Sequence, residues 1–199
     1  MGRRRQADRS EETTGELVEA ATALFGRDGY AATSIDEVAQ VAGVTKGAVY
    51  HHFDGKAGLF LAVFVRQQQR LAEILALAAK DQPDAWSAVR EGCHTFLRVC
   101  MDPVVRQIVV LDGPAVLGWE QGRRIESEHV MALLSRGLVR AEQEGRIRPG
   151  DTRIRTHLII GTLCEAAMLL ARSTDVEEDL PVVVREVDAL LAALSTGVS

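Results

Sequence analysis

The sequence predicts an all-α fold, with a small three-helix unit at the N-terminus and a larger helical body behind it, about nine helices in all. Three observations carry that prediction. Apolar residues recur at three- and four-residue steps through nearly every segment, and no segment alternates as a strand does. Glycine and proline stand between the periodic stretches, where a helix must stop and turn.

The elements follow in order. Residues 10–27 carry Leu17, Ala21, Leu24 and Phe25 on one helical face, and Gly29 stands at a C-cap position. Two short helices are expected at about 34–41 and 45–51. Ile35, Val38 and Ala39 give the first its buried face, and Val49 gives the second. Between them Gly43 supplies the positive φ of a tight turn. Thr33 or Ser34 caps the first, with Asp36 or Glu37 as capping-box partner; the spacing does not choose the register. After Asp54-Gly55 a long helix of about 56–80 presents Phe60, Phe64, Leu71 and Leu75, and its polar centre, residues 66–70, is expected to face solvent.

Pro83 breaks the pattern, and Asp84 caps a helix to about Cys100. Asp102-Pro103 starts the next, which is expected to stop at Asp112-Gly113-Pro114. A longer helix runs from Trp119 to about Glu144, closed by Gly145. Past Pro149-Gly150-Asp151, residues 152–172 are apolar almost all round, so burial on several sides is expected. The last helix begins near Pro181 and places Val184, Val187, Leu191 and Leu194 along a seam for helix packing. The expected division is a helix-turn-helix domain over residues 1–54 and a body over residues 55–199.

Composition narrows the functional classes. A chain of 199 residues with 47% apolar and 26% charged residues is ordinary for a globular protein. Met-Gly-Arg-Arg-Arg-Gln precedes no apolar run, so no signal peptide is expected. The apolar stretch over 158–171 is interrupted by Thr162 and Glu165 and is read as too short to span a bilayer. Three cysteines without zinc-ligand spacing suit a reducing cytoplasm, and no metal or cofactor is expected. The net charge of −5 argues against nucleic acid, but its distribution argues the other way. From Val38 to Phe53 there is no Asp or Glu, while Lys46, His51 and His52 fall inside that window, and Arg3, Arg4, Arg5 and Arg9 lie upstream. With no Ser/His/Asp spacing, phosphate loop or metal motif, an enzyme is not expected.

The pattern Gly29-Tyr30, Thr33, Val38-Ala39, Ala42-Gly43-Val44-Thr45-Lys46-Gly47, Val49-Tyr50-His51-His52-Phe53, Lys56 and Leu59-Phe60 resembles the TetR family of bacterial transcriptional regulators. It covers about the first third of the chain. The rest is similar to a family ligand-binding and dimerisation domain through its helix count, the run from Leu111 to Trp119 and two apolar terminal helices. Gly58 departs from the pattern, where a helix-favouring residue is common, and glycine there costs about 1 kcal/mol of helix stability. The resemblance implies a homodimer that binds a palindromic operator and is released by a small-molecule effector.

On that reading Thr45, Lys46 and Gly47 open the recognition helix, whose N-terminal residues meet base edges. Lys46 can donate to guanine O6 and N7, and Gly47 lets the backbone approach the groove. Tyr50 and His51 can reach phosphates, as can Lys56 at a helix N-terminus. Thr33 can donate to a phosphate or cap a helix. The arginines at 3–5 are either a minor-groove arm or a tail adding nonspecific attraction.

The ligand site is less specified. Trp86, His94, Phe96, Trp119, His129, Glu165 and Met168 are candidates, and the aromatic, histidine and Met residues among them are also readable as ordinary core. Glu165, expected to be buried, needs a partner such as His157, an arginine across a dimer, or a ligand. Leu158 and Gly161, with Val184, Val187, Leu191 and Leu194, are the candidate dimer interface. The alternative function is an architectural DNA-binding protein or activator without an effector; the large body argues against a mere clamp.

Overall fold

A computed structural model describes residues 2–197, with side chains described from Ser10 onward except at residue 11. The arginines at 3, 4, 5 and 9 therefore lie outside the described side chains. Among the described residues the elements are α1 (Gly2–Ala32), α2 (Ile35–Val41), α3 (Lys46–His52), α4 (Gly55–Ala79), α5 (Ala85–Val99), α6 (Pro103–Val105), a π-helical segment (Arg106–Asp112), α7 (Gly113–Glu128), α8 (Val130–Gln143), α9 (Thr152–Ala171) and α10 (Val176–Ala192). The all-α expectation holds, and the only extended pairing among them is one isolated bridge between Ile147 and Ser195.

Two compact units form. The first comprises residues up to Gln67 together with Pro103–Gly118; the second comprises Gln68–Asp102 and the residues from Trp119 onward. The grouping differs from a boundary at residue 54, and the reason is local. α1 packs on α6 and the π-helical segment. Asp112 Oδ2 accepts hydrogen bonds from the Tyr30 amide at 2.7 Å and from Gln107 Nε2 at 3.1 Å. Gly113 lies so close to Phe64 that a Cβ would sit 2.6 Å from its ring.

In the first unit Leu17, Ala21, Leu24 and Phe25 are buried as the spacing predicts, and so are Ile35, Val38, Val49, Phe60 and Phe64. Phe25, Tyr30 and Phe60 form a ring cluster with centroids 5.1–5.8 Å apart. Gly29 does bend the chain, at φ 79°, although helical turns resume to Ala32. The open register of α2 resolves to Ser34, whose side chain accepts from the Glu37 amide while Glu37 accepts from the Ser34 amide.

The second unit layers α5 on α8, α8 on α9, and α10 on α9 and α5. Gly137 permits the first of these contacts, since a Cβ there would meet Val89 at 2.7 Å. Asp84, Asp151 and Asp175 cap α5, α9 and α10.

Several expectations are corrected. Asp112-Gly113-Pro114 does not stop a helix. The π-helical turns before it widen the ladder, with the Gly113 amide reaching Ile108 O, and this removes the carbonyl clash that a proline makes in an α-helix. The helix expected from 119 to 144 is broken at His129, at φ −119° and ψ −88°. The last helix starts at Val176 and carries Pro181 inside it. Gln67 and Gln68 are buried rather than solvent-facing. α9 is not covered all round: Ile154, Leu158 and Leu169 are exposed, and so is Glu165. At 20 residues and mean hydropathy 1.4, α9 is long and apolar enough to cross a membrane, a property that core helices share.

The Asp112 contacts define a test. Asp112→Ala leaves the Tyr30 amide without its acceptor and should lower stability by about 1–3 kcal/mol in urea denaturation. An unchanged midpoint would contradict the role given to this carboxylate.

Candidate DNA interface and ligand cavity

α3 is only seven residues long, so its ends and its buried face must fix it. Thr45 is the N-cap, its hydroxyl accepting from the Ala48 amide at 3.2 Å. Gly43, at φ 68°, makes the turn from α2, and the Val44 amide bonds back to Ala39 O at 3.0 Å. Val49 is fully buried and anchors α3 from behind. His52 turns toward α1, with Nδ1 3.2 Å from Thr14 Oγ1, so of the two histidines it is the inward one.

The opposite face is open. Thr45, Lys46, Gly47, Tyr50 and His51 are all exposed, Tyr50 by 56%. A Cβ on Gly47 would meet nothing closer than Thr45 Oγ1 at 3.8 Å, so packing within the chain does not require glycine there. Lys46 Nζ pairs with Asp36 at 2.9 Å, a carboxylate that the sequence reading did not assign to this face. The hydrogen bond and charge of Asp36 hold the ammonium above its usual range, so Lys46 stays charged at any physiological pH.

Two candidates are less available. Thr33 is 2% exposed and its hydroxyl donates to Gly29 O at 2.9 Å, which leaves no side-chain surface for a phosphate. Its role is structural. Lys56 is half-buried, with Nζ 3.2 Å from Ala31 O and 4.4 Å from the centre of the Tyr30 ring.

In the second unit a cavity of about 900 Å³ opens among the C-terminal turns of α4 and helices α5, α8 and α9. Its buried lining includes Val89, Phe96, Val130, Ile160 and Leu163. Of the sequence-based candidates Phe96 lines it, whereas Trp86, His94, Trp119, His129, Glu165 and Met168 do not. Trp86 is buried core. His94 joins α5 to α10, with Nε2 2.9 Å from Asp188 Oδ1, alongside Arg90 at 3.1 Å. Burial pushes Asp188 up, but the hydrogen bonds of His94 and Arg90 outweigh it and hold the carboxyl below its usual range. Trp119 is exposed under the Arg123 guanidinium, 4.5 Å away. Glu165 is exposed and Met168 half-buried. The cavity lining also holds Arg136 and Arg140, one turn apart on α8 with no acid between them in sequence.

The seam residues differ in burial within the chain. Val187 and Leu191 are buried within the chain, where α10 packs on α9 and α5, and Val184 and Leu194 are half-buried. Exposed on α10 are the apolar Val182, Ala189 and Leu190, beside the charged Arg185 and Glu186. Leu158 and Gly161 are exposed on α9. Cys93 and Cys100 are buried thiols; burial pushes Cys93 up to about 12 and Cys100 higher still, so neither is a ready nucleophile.

Residues 17–63 match the family model for bacterial regulatory proteins of the tetR family, and residues 86–194 match that for the tetracyclin repressor-like C-terminal domain. The transcriptional regulator CymR of Pseudomonas putida is 42% identical over 153 residues, 71% of this chain and 75% of that protein. A crystal structure of a TetR-family regulator from Pectobacterium atrosepticum matches with TM-score 0.84 and 31% identity, covering 95% of this chain and 97% of the other. The structure of RolR with resorcinol shares the fold at TM-score 0.73 and 16% identity, covering 97% and 100%. The capped α3 with its open face, the helical body and these likenesses agree: the chain belongs to the TetR family of bacterial transcriptional regulators.

Proposed function

We propose that the protein is a cytoplasmic repressor which, as a homodimer, reads a palindromic operator with paired copies of α3 and lets go when a small molecule enters the cavity of its body. The observation that carries the DNA reading is the exposed face of Thr45, Lys46, Gly47, Tyr50 and His51 on a helix fixed from behind by Val49. Lys46 and Gly47 lie at the N-terminal turn, the part of a recognition helix that meets bases. Tyr50 and His51 stand one turn on, within reach of phosphates. Lys56 adds charge near the start of α4, although Ala31 O and Tyr30 hold part of it.

Dimerisation is supported by apolar exposure that a monomer has no use for. Leu158 on α9 is 66% exposed and Leu190 on α10 is 61% exposed, and these two helices pack side by side. Such a face suits a second copy, because a two-fold interface is self-complementary. A dimer also sets the distance between recognition helices, which must be about 34 Å to enter successive major grooves. A ligand that changes this distance by a few ångströms loses one half-site. That RolR has been solved with resorcinol supports a small-molecule effector for the cavity here.

Three outcomes are expected. In gel shifts over operator variants, Lys46→Ala should weaken binding and relax preference at one base pair per half-site by about 1–3 kcal/mol. Unchanged affinity and preference would remove Lys46 from the interface. Asp36→Asn frees the Lys46 ammonium and should tighten binding without moving thermal stability, since exposed ion pairs contribute little. Weaker binding would show that the carboxylate positions the lysine rather than competing with DNA for it. Leu158→Glu with Leu190→Glu should sediment as a folded monomer and lose on the order of 100-fold in duplex affinity, the gain of bivalency. A tight complex from a monomer would refute the dimeric mode.

A further inference from the structure

We infer that the cavity selects an amphipathic anion, a molecule with a hydrocarbon body and a carboxylate or sulfate head. The inference rests on the cavity being the effector site and adds the chemical class of the effector. Its buried lining is hydrocarbon with one thiol, Cys93, held protonated by burial. Nothing in that part of the wall can satisfy a charge or orient several hydrogen bonds, so the body of the ligand must be apolar.

The charged part of the lining has the opposite character. It carries Lys80, Arg136, Arg140 and Arg146 against two carboxylates, Asp84 and Glu144. Both carboxylates are already committed to the first turn of α5. Asp84 accepts from the Ser87 amide at 2.9 Å, and Glu144 accepts from the Ala85 amide at 2.8 Å. The Ser87 bond, against the effect of burial, leaves the Asp84 carboxyl below its usual range. The acids are thereby matched to a helix N-terminus as well as to cations.

The cations are not matched in return. Arg146 reaches Asp84 only at 3.8 Å and Arg140 reaches Glu144 only at 3.7 Å, both with exposed guanidinium groups. Among the described residues, Lys80 and Arg136 have no ion pair or side-chain hydrogen bond. Arg136 and Arg140 are also one helical turn apart, a like-charge spacing that a bound anion relieves. A surplus of positive charge beside a hydrocarbon trough fits an anionic head with an apolar body. It opposes a cationic head.

The test uses the whole protein and three probes below their micelle concentrations: dodecanoate, dodecanol and dodecyltrimethylammonium, titrated by calorimetry. Dodecanoate should bind about tenfold tighter than dodecanol, and the cation most weakly. Lys80→Gln with Arg136→Gln should bring dodecanoate to within about threefold of dodecanol while leaving dodecanol unchanged. Leu134→Trp, which fills the trough, should weaken all three. The assignment is overturned if none of the probes binds, if the cation binds as tightly as the anion, or if the paired glutamines leave the preference intact. Release of a bound duplex separates this from the effector reading. Release by the cation or the alcohol with the affinity order reversed would keep the effector reading and sink the head-group assignment. The expected affinity order without release would do the reverse.

Discussion

A helix of two turns does not hold its shape alone in water, so everything at the DNA-facing end depends on what grips α3 from behind. Val49 supplies the buried contact, Thr45 closes the N-terminus, and Gly43 allows a turn short enough to lay α3 against α2. α2 is fixed in turn by the reciprocal Ser34–Glu37 bonds and by Ile35 and Val38. With that scaffold in place, Lys46, Gly47, Tyr50 and His51 need no packing role and face outward beside the capping Thr45. Preorganisation of this kind means that the ordering entropy is lost on folding and not again on binding.

The same economy explains how an acidic chain can approach DNA. Net charge governs long-range behaviour, but a phosphate responds to what stands within a Debye length. Among the described residues, the acid paired with the face of α3 is Asp36, through Lys46. That exposed pair is weak, so a guanine edge or phosphate competes with it on even terms. In the body, charge is arranged by a second local rule. The acids gather on the N-terminus of α5 and leave the arginines of α8 in surplus.

How much of this the sequence disclosed depends on how local each determinant was. The caps at Asp84 and Asp151, the turn at Gly43 and the buried stripe of Leu17, Ala21, Leu24 and Phe25 are settled by residues a few positions apart. The short capped helix α3 followed from the same window. Thr33 did not, because a threonine before a helix can cap, donate outward or turn back, and here it turns back to Gly29. The seam of α10 was seen as a seam, but spacing alone cannot say whether its partner lies in the same chain. Val187 and Leu191 proved to serve the intramolecular packing, leaving Val182 and Leu190 outside. Glu165 misled for a related reason: a helix apolar all round in sequence still has an open face in one chain, and Glu165 lies on it with Leu158. The path through Pro114 was illegible because a π-helical widening has no strong composition of its own.

The central claim is that two copies of α3, held at a fixed separation, enter successive major grooves of one duplex. Selecting bound duplexes from a random pool with the purified protein, at moderate salt and against bulk competitor, tests it directly. The account predicts an inverted repeat whose half-sites are centred about 10 base pairs apart, or a whole number of turns, on one face of the helix. Enrichment of a single asymmetric half-site, or of nothing above the competitor, would contradict it.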